Sequence, residues 1–166
     1  MNPYLAAPFV LAVSLLQSTL SPRLQIGAVW PDFALLVVMS WALLRRPDEA
    51  LTWAFSAGLV VDLVSGGPFG GTVMALMIVT LIAGAMANGA LRGRTVLPIV
   101  TAFAGTLAFH GMYALAMLLA GQPVDVGDAL FRVVLSSAVY NSALSLPIYG
   151  LMLRIDRRIR PKALRW

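Results

Sequence analysis

Apolar residues are gathered into six stretches, residues 4–20, 31–44, 50–64, 71–91, 96–119 and 129–153, separated by short breaks rich in Gly, Pro and charge. The longer stretches approach the roughly 20 residues that an α-helix needs to cross a hydrocarbon layer. Inside them the polar residues recur at three- and four-residue steps, which places them on one face of each helix. Gln17 falls with Ser14, Ser18 and Ser21, Thr80 with Gly84 and Asn88, His110 with Thr106 and Tyr113, and Asn141 with Ser137, Ser145 and Tyr149. Each helix therefore has an apolar surround and one polar stripe, and in a membrane such stripes turn inward and meet. The pattern predicts an all-α, polytopic membrane protein with six transmembrane helices in a single domain spanning residues 1–166.

Local signals agree with these boundaries. Pro31-Asp32 and Pro47-Asp48-Glu49 each put a proline and an acid at a helix start, where the missing N–H costs nothing and the exposed amides favour negative charge. Asp128 is placed to cap the sixth helix. The third stretch, at 15 residues, gives only about 22 Å, so the Gly/Pro-rich turn after it either lies below the membrane surface or is brought there by local tilt or thinning. Ala85, Gly89 and Gly93 repeat a small residue every four positions, a weak signal for close helix approach.

Composition narrows the class further. Hydrophobic residues make up 60% of the 166 and charged residues 11%, which a water-soluble domain of this size could not keep in solution. There is no cysteine, which excludes disulfides, thiolate metal sites and a cysteine nucleophile. The first arginine, Arg23, follows the first apolar stretch, so that stretch reads as a retained span and not a cleaved signal. The net charge of +5 reflects topology. With the N-terminus and C-terminus cytoplasmic, ten of the twelve basic residues lie inside, against Arg23 and Arg132 outside. Residues 154–166 then form a short basic tail carrying Arg154, Arg157, Arg158, Arg160, Lys162 and Arg165. It is either an anchor on anionic lipid or a surface for a cytoplasmic partner.

The acids within apolar surroundings are the candidate chemistry. A charge in hydrocarbon is expensive, so Asp62 marks a functional or assembly site. It sits in Gly58-Leu-Val-Val-Asp62-Leu-Val-Ser65-Gly66-Gly67-Pro68-Phe69-Gly70-Gly71. Asp62 and His110 fall at similar depths, about 18 and 21 Å along their helices, which makes His110, Tyr113 and the Ser65 to Gly67 backbone the candidate donors to the carboxylate. His110 alternatively reads as a satisfied core histidine, and Asp32 as a helix-start residue or a partner-binding one. One histidine and one mid-membrane acid leave no metal cluster, acid/base pair, catalytic triad or phosphate loop, so neither an enzyme nor a cofactor is expected, and the charge gives no reason to invoke nucleic acid. With no second acid to form a relay, Asp62 reads as a structural corner that offers a shaped surface to a partner.

Pro31-Asp32 followed by aliphatics, Trp41 before the Arg46-Pro47 hairpin, and the order Gly58, Asp62, Ser65, Gly66, Pro68, Gly70 resemble MreD, the rod shape-determining membrane protein family of bacteria. Phe69 and Thr72 depart from the leucine and the histidine or other polar residue usual there. The resemblance implies a noncatalytic subunit of the cell-elongation machinery in the cytoplasmic membrane, bound to MreC and joined to MreB, RodA and a class B penicillin-binding protein. It also implies a fold similar to the substrate-binding subunits of energy-coupling-factor vitamin transporters. The alternative it leaves open is a small-molecule binding or transport subunit with a pocket at Asp32 and Asp62.

Overall fold

The computed structural model describes residues 17, 19, 22–25, 29–65, 67–89, 93–122 and 127–159. After a single 3-10 turn, Pro22–Leu24, the described chain forms five α-helices: α1 Phe33–Leu44, α2 Pro47–Ser65, α3 Gly71–Ala87, α4 Leu97–Leu119 and α5 Asp128–Ile159. They correspond to the second through sixth apolar stretches, and the first stretch lies outside the described residues apart from Gln17 and Thr19. The fold is all-α.

Helix α1 is apolar on every side, FALLVVMSWALL, and such a helix has to be enclosed. It packs against all four of the others, while α2 with α3, α3 with α4, and α4 with α5 pack in chain order, and α5 closes back onto α1. Leu35, Leu36, Val38, Met39, Trp41 and Ala42 are buried there. Into the same interior point Ser40, Thr80, Thr101, Thr106, Asn141 and Ser145, all buried, while Leu63, Val64, Phe69, Leu119, Phe131 and Val139 are exposed. Exposed apolar area of that extent drives association with other apolar surfaces in water. One described helix, α4, is both long and apolar enough to cross a membrane by itself; α1 and α3 are apolar but shorter.

Several boundaries move from their expected places. Pro47, Asp48 and Glu49 form the first turn of α2, as expected of a helix start, and with Ser65 they bring the helix to 19 residues, about 28 Å, longer than its 15-residue apolar stretch. At α3 the helix stops at Ala87, where the Asn88 side chain donates back to the Gly84 carbonyl at 3.0 Å. Asp128, expected as a cap, is the first residue of α5. That helix continues to Ile159, so Arg154, Arg157 and Arg158 of the basic tail are helical and exposed.

The tightest backbone approach is between α2 and α3. A Cβ added at Gly58 would stand 2.5 Å from the Val73 Cα and 2.9 Å from its nitrogen, atoms that cannot yield without parting the helices. At Gly111 the same atom would meet nothing within 4 Å. Gly58→Ala should therefore lower stability by about 2 kcal/mol through overpacking, while Gly111→Ala should be neutral or slightly stabilising. Thermal unfolding of both variants in mild detergent checks the difference.

Candidate functional site

Asp62 lies near the end of α2 and is 4% exposed. Its carboxylate is fully engaged by the start of the next helix. Oδ2 accepts from the Gly70 N–H at 2.8 Å and the Val73 N–H at 3.4 Å, and Oδ1 accepts from the Thr72 N–H at 3.0 Å. Gly70, the residue before α3, has no side chain to cap with and turns the chain at φ +90°, a left-handed conformation that glycine adopts without strain. Asp62 thus does from the preceding helix what an N-cap residue does locally, and the positive end of α3 favours its charge. The expected donors at Ser65 to Gly67 are not the ones used: Gly67 N–H instead lies 3.5 Å from Ser65 Oγ, and Gly66 lies outside the described residues. Tyr113 comes from α4 to cover the turn, where a side chain at Gly67 would strike its hydroxyl. Its ring stacks on Phe109 with centroids 6.3 Å apart.

Asp32 caps α1 by a second set of side chains. Its Oδ1 accepts from the Leu35 N–H at 3.0 Å, and Gln17 Oε1 accepts from the Phe33 and Ala34 N–H groups at 2.7 and 3.3 Å. With Leu36 N–H donating to the Asp32 carbonyl, the opening amides of α1 are all satisfied. The Asp32 N–H itself donates to Asn141 Oδ1 at 3.1 Å, Asn141 Nδ2 donates to Thr106 Oγ1 at 3.2 Å, and Thr106 Oγ1 donates to the Ala102 carbonyl at 2.7 Å. His110 Nδ1 pairs with the Thr106 carbonyl at 2.9 Å. The polar stripes of the first, fifth and sixth stretches therefore meet at the start of the second. Among the described residues no hydrogen bond or ion pair joins Asp62 to His110, which bonds instead to the Thr106 carbonyl of its own helix, next to the Thr106 hydroxyl that meets Asn141.

At the opposite end of α1 a third acid is buried. Arg45, the residue closing α1, places Nε 2.6 Å from Asp156 Oδ1 and Nη1 3.6 Å from Glu49 Oε2, with side-chain exposures of 18% for Arg45, 2% for Asp156 and 26% for Glu49. The guanidinium also lies 5.0 Å from the Trp41 ring centroid, and Trp41 tilts against Trp53 at 5.5 Å. Sequence reasoning missed this cluster because Arg45 was counted as a loop charge. The signal was Asp156, a lone acid in the basic tail, four residues after Met152 on the buried face, whereas Arg154, Arg157 and Arg158 are exposed. Arg160, Lys162 and Arg165 lie outside the described residues.

Gly58, Asp62, Ser65, Pro68 and Gly70 are thus brought together at one corner, joined by Tyr113, while Asp32 and His110 form a separate network. Both can hold a helix start in place. Asp62→Asn keeps an acceptor and should lose about 1 kcal/mol, whereas Asp62→Leu leaves three amides unmet and should lose about 3 kcal/mol. Denaturation in detergent distinguishes the two. Asp156→Asn leaves the mostly buried Arg45 with only the longer ion pair to Glu49 and should cost about 2 kcal/mol, and replacing both Arg45 and Asp156 by apolar residues should recover most of the loss. The same denaturation assay, run as a double-mutant cycle, measures it.

A model of the family described as rod shape-determining protein MreD matches residues 1–155. No curated protein and no solved structure gives a significant match to the chain. The matched span contains the Asp32 network, the Asp62 corner and Arg45, and stops one residue before Asp156. It takes in nearly the whole sequence, and on that ground the chain belongs to the rod shape-determining protein MreD family.

Proposed function

We propose that this protein is the noncatalytic, multi-pass subunit of the bacterial cell-elongation complex, a scaffold in the cytoplasmic membrane that binds MreC and links MreB filaments to RodA and a class B penicillin-binding protein. The family match over residues 1–155 carries this reading. Two structural features support the membrane part of it. The bundle exposes large apolar side chains such as Leu63, Phe69 and Val139 while burying Thr106, Asn141 and Ser145 in its otherwise apolar core, and the Arg45–Asp156 pair holds the ends of the second and sixth stretches together, which fits a layout of six spans with both termini inside. The buried acids favour a scaffold over a reacting centre, since Asp32 and Asp62 are occupied with helix starts and Asp156 with Arg45. The exposed Arg154, Arg157 and Arg158 would face the filament side, each adding about 1 kcal/mol of attraction to anionic lipid.

Depletion of the protein from a rod-shaped bacterium should round the cells while solute uptake continues, and MreC should co-purify with the tagged chain in mild detergent. Retained rod shape together with loss of uptake of a small solute would contradict the scaffold and favour a transport subunit.

A further inference from the structure

Along the outer face of α5, beside Val29, runs a cavity of about 740 Å³ lined by Arg132, Ser136, Val139, Tyr140 and Ala143 among others. These residues recur at three- and four-residue steps, so they form one continuous helix face. Among the described residues the wall is mostly apolar, with the Ser136 and Tyr140 hydroxyls along it and Arg132 at its beginning, where the guanidinium is exposed and forms no ion pair with a carboxylate. Tyr140 is fixed by donating its hydroxyl to the Leu24 carbonyl at 2.9 Å, which ties the groove to the segment before α1.

The dimensions fit one leaflet of a bilayer. From Arg132 to Ala143 the helix rises about 16 Å, close to half of a hydrocarbon core of roughly 30 Å. From Arg132 to Asp156 it rises about 36 Å, so with the Arg45–Asp156 pair at one membrane face the guanidinium reaches the headgroup level of the other. A planar guanidinium there offers a fork of donors matched to a phosphate, above an apolar channel as long as an acyl chain's half of the membrane. We propose that this groove is a binding site for one anionic glycerophospholipid of the outer leaflet, its phosphate on Arg132 and an acyl chain between Val29 and the Ser136 to Ala143 face. The site is distinct from the basic tail, which lies at the other end of α5, and it rests on the membrane-spanning reading above.

The test uses the full chain reconstituted into phosphatidylcholine vesicles doped with phosphatidylglycerol, then extracted gently and weighed intact with its retained lipid by native mass spectrometry. Wild type should keep one phosphatidylglycerol. Arg132→Gln should weaken that retention about tenfold, and Val139→Trp, which fills the channel, should abolish it, while a tail variant with Arg157→Gln and Arg158→Gln should keep it. Unchanged retention in both groove variants, loss confined to the tail variant, or photocrosslinking from position 139 to protein instead of lipid would overturn the proposal while leaving the scaffold reading intact. Failure of the wild type to enter vesicles would overturn the membrane reading and the lipid site with it.

Discussion

A helix that begins inside a packed, water-poor interior has amide donors that must find acceptors within the protein, and the architecture here is arranged around meeting that demand twice. Helix α1 has only 12 residues, about 18 Å, and its first amides open among the other helices. Helix α3 begins at a glycine that cannot cap it. A carboxylate takes part in each case, Asp32 from the chain itself together with Gln17 at α1, and Asp62 from the neighbouring helix at α3. Asp62 in this apolar chain is therefore explained by backbone amides. Its charge, which looked expensive in isolation, meets three N–H donors and the dipole behind them.

The consequence is a bundle whose specificity comes from polar contacts at the ends of helices. In hydrocarbon, apolar side chains gain little by leaving lipid for protein, so packing and hydrogen bonds decide which helices adjoin. Gln17, Asn141 and Thr106 bring three stretches to the start of α1; Asp62 and Gly58 lock α2 to α3; Arg45 and Asp156 draw the last helix back to the first described one.

Much of this frame was legible in the sequence. The apolar stretches gave the helices, and the four-step spacing of Thr106 with His110 and of Ser137 with Asn141 gave the stripes that converge. Asp62 was legible as a corner beside a glycine-rich turn. Its donors were not, because depth along two helices says how far a group has climbed and nothing about azimuth; His110 was expected at the depth of Asp62 yet bonds to the Thr106 carbonyl of its own helix. The three donors to Asp62 are backbone groups eight to eleven residues on, which no side-chain pattern announces. Asp156 was hidden by its basic neighbours, since a charge count averages over a helix face that burial resolves.

The claim that the two acids are caps is tested most directly by amide hydrogen exchange on the protein in lipid discs. Protection at residues 33–35 and at 70, 72 and 73 should equal that of mid-helix amides in α4, and Asp62→Ala should remove it at 70, 72 and 73 while leaving 33–35 unchanged. Fast exchange at 70, 72 and 73 in the wild type, or protection at those three amides that survives Asp62→Ala, would contradict the account and return the Asp62 charge to a role in function.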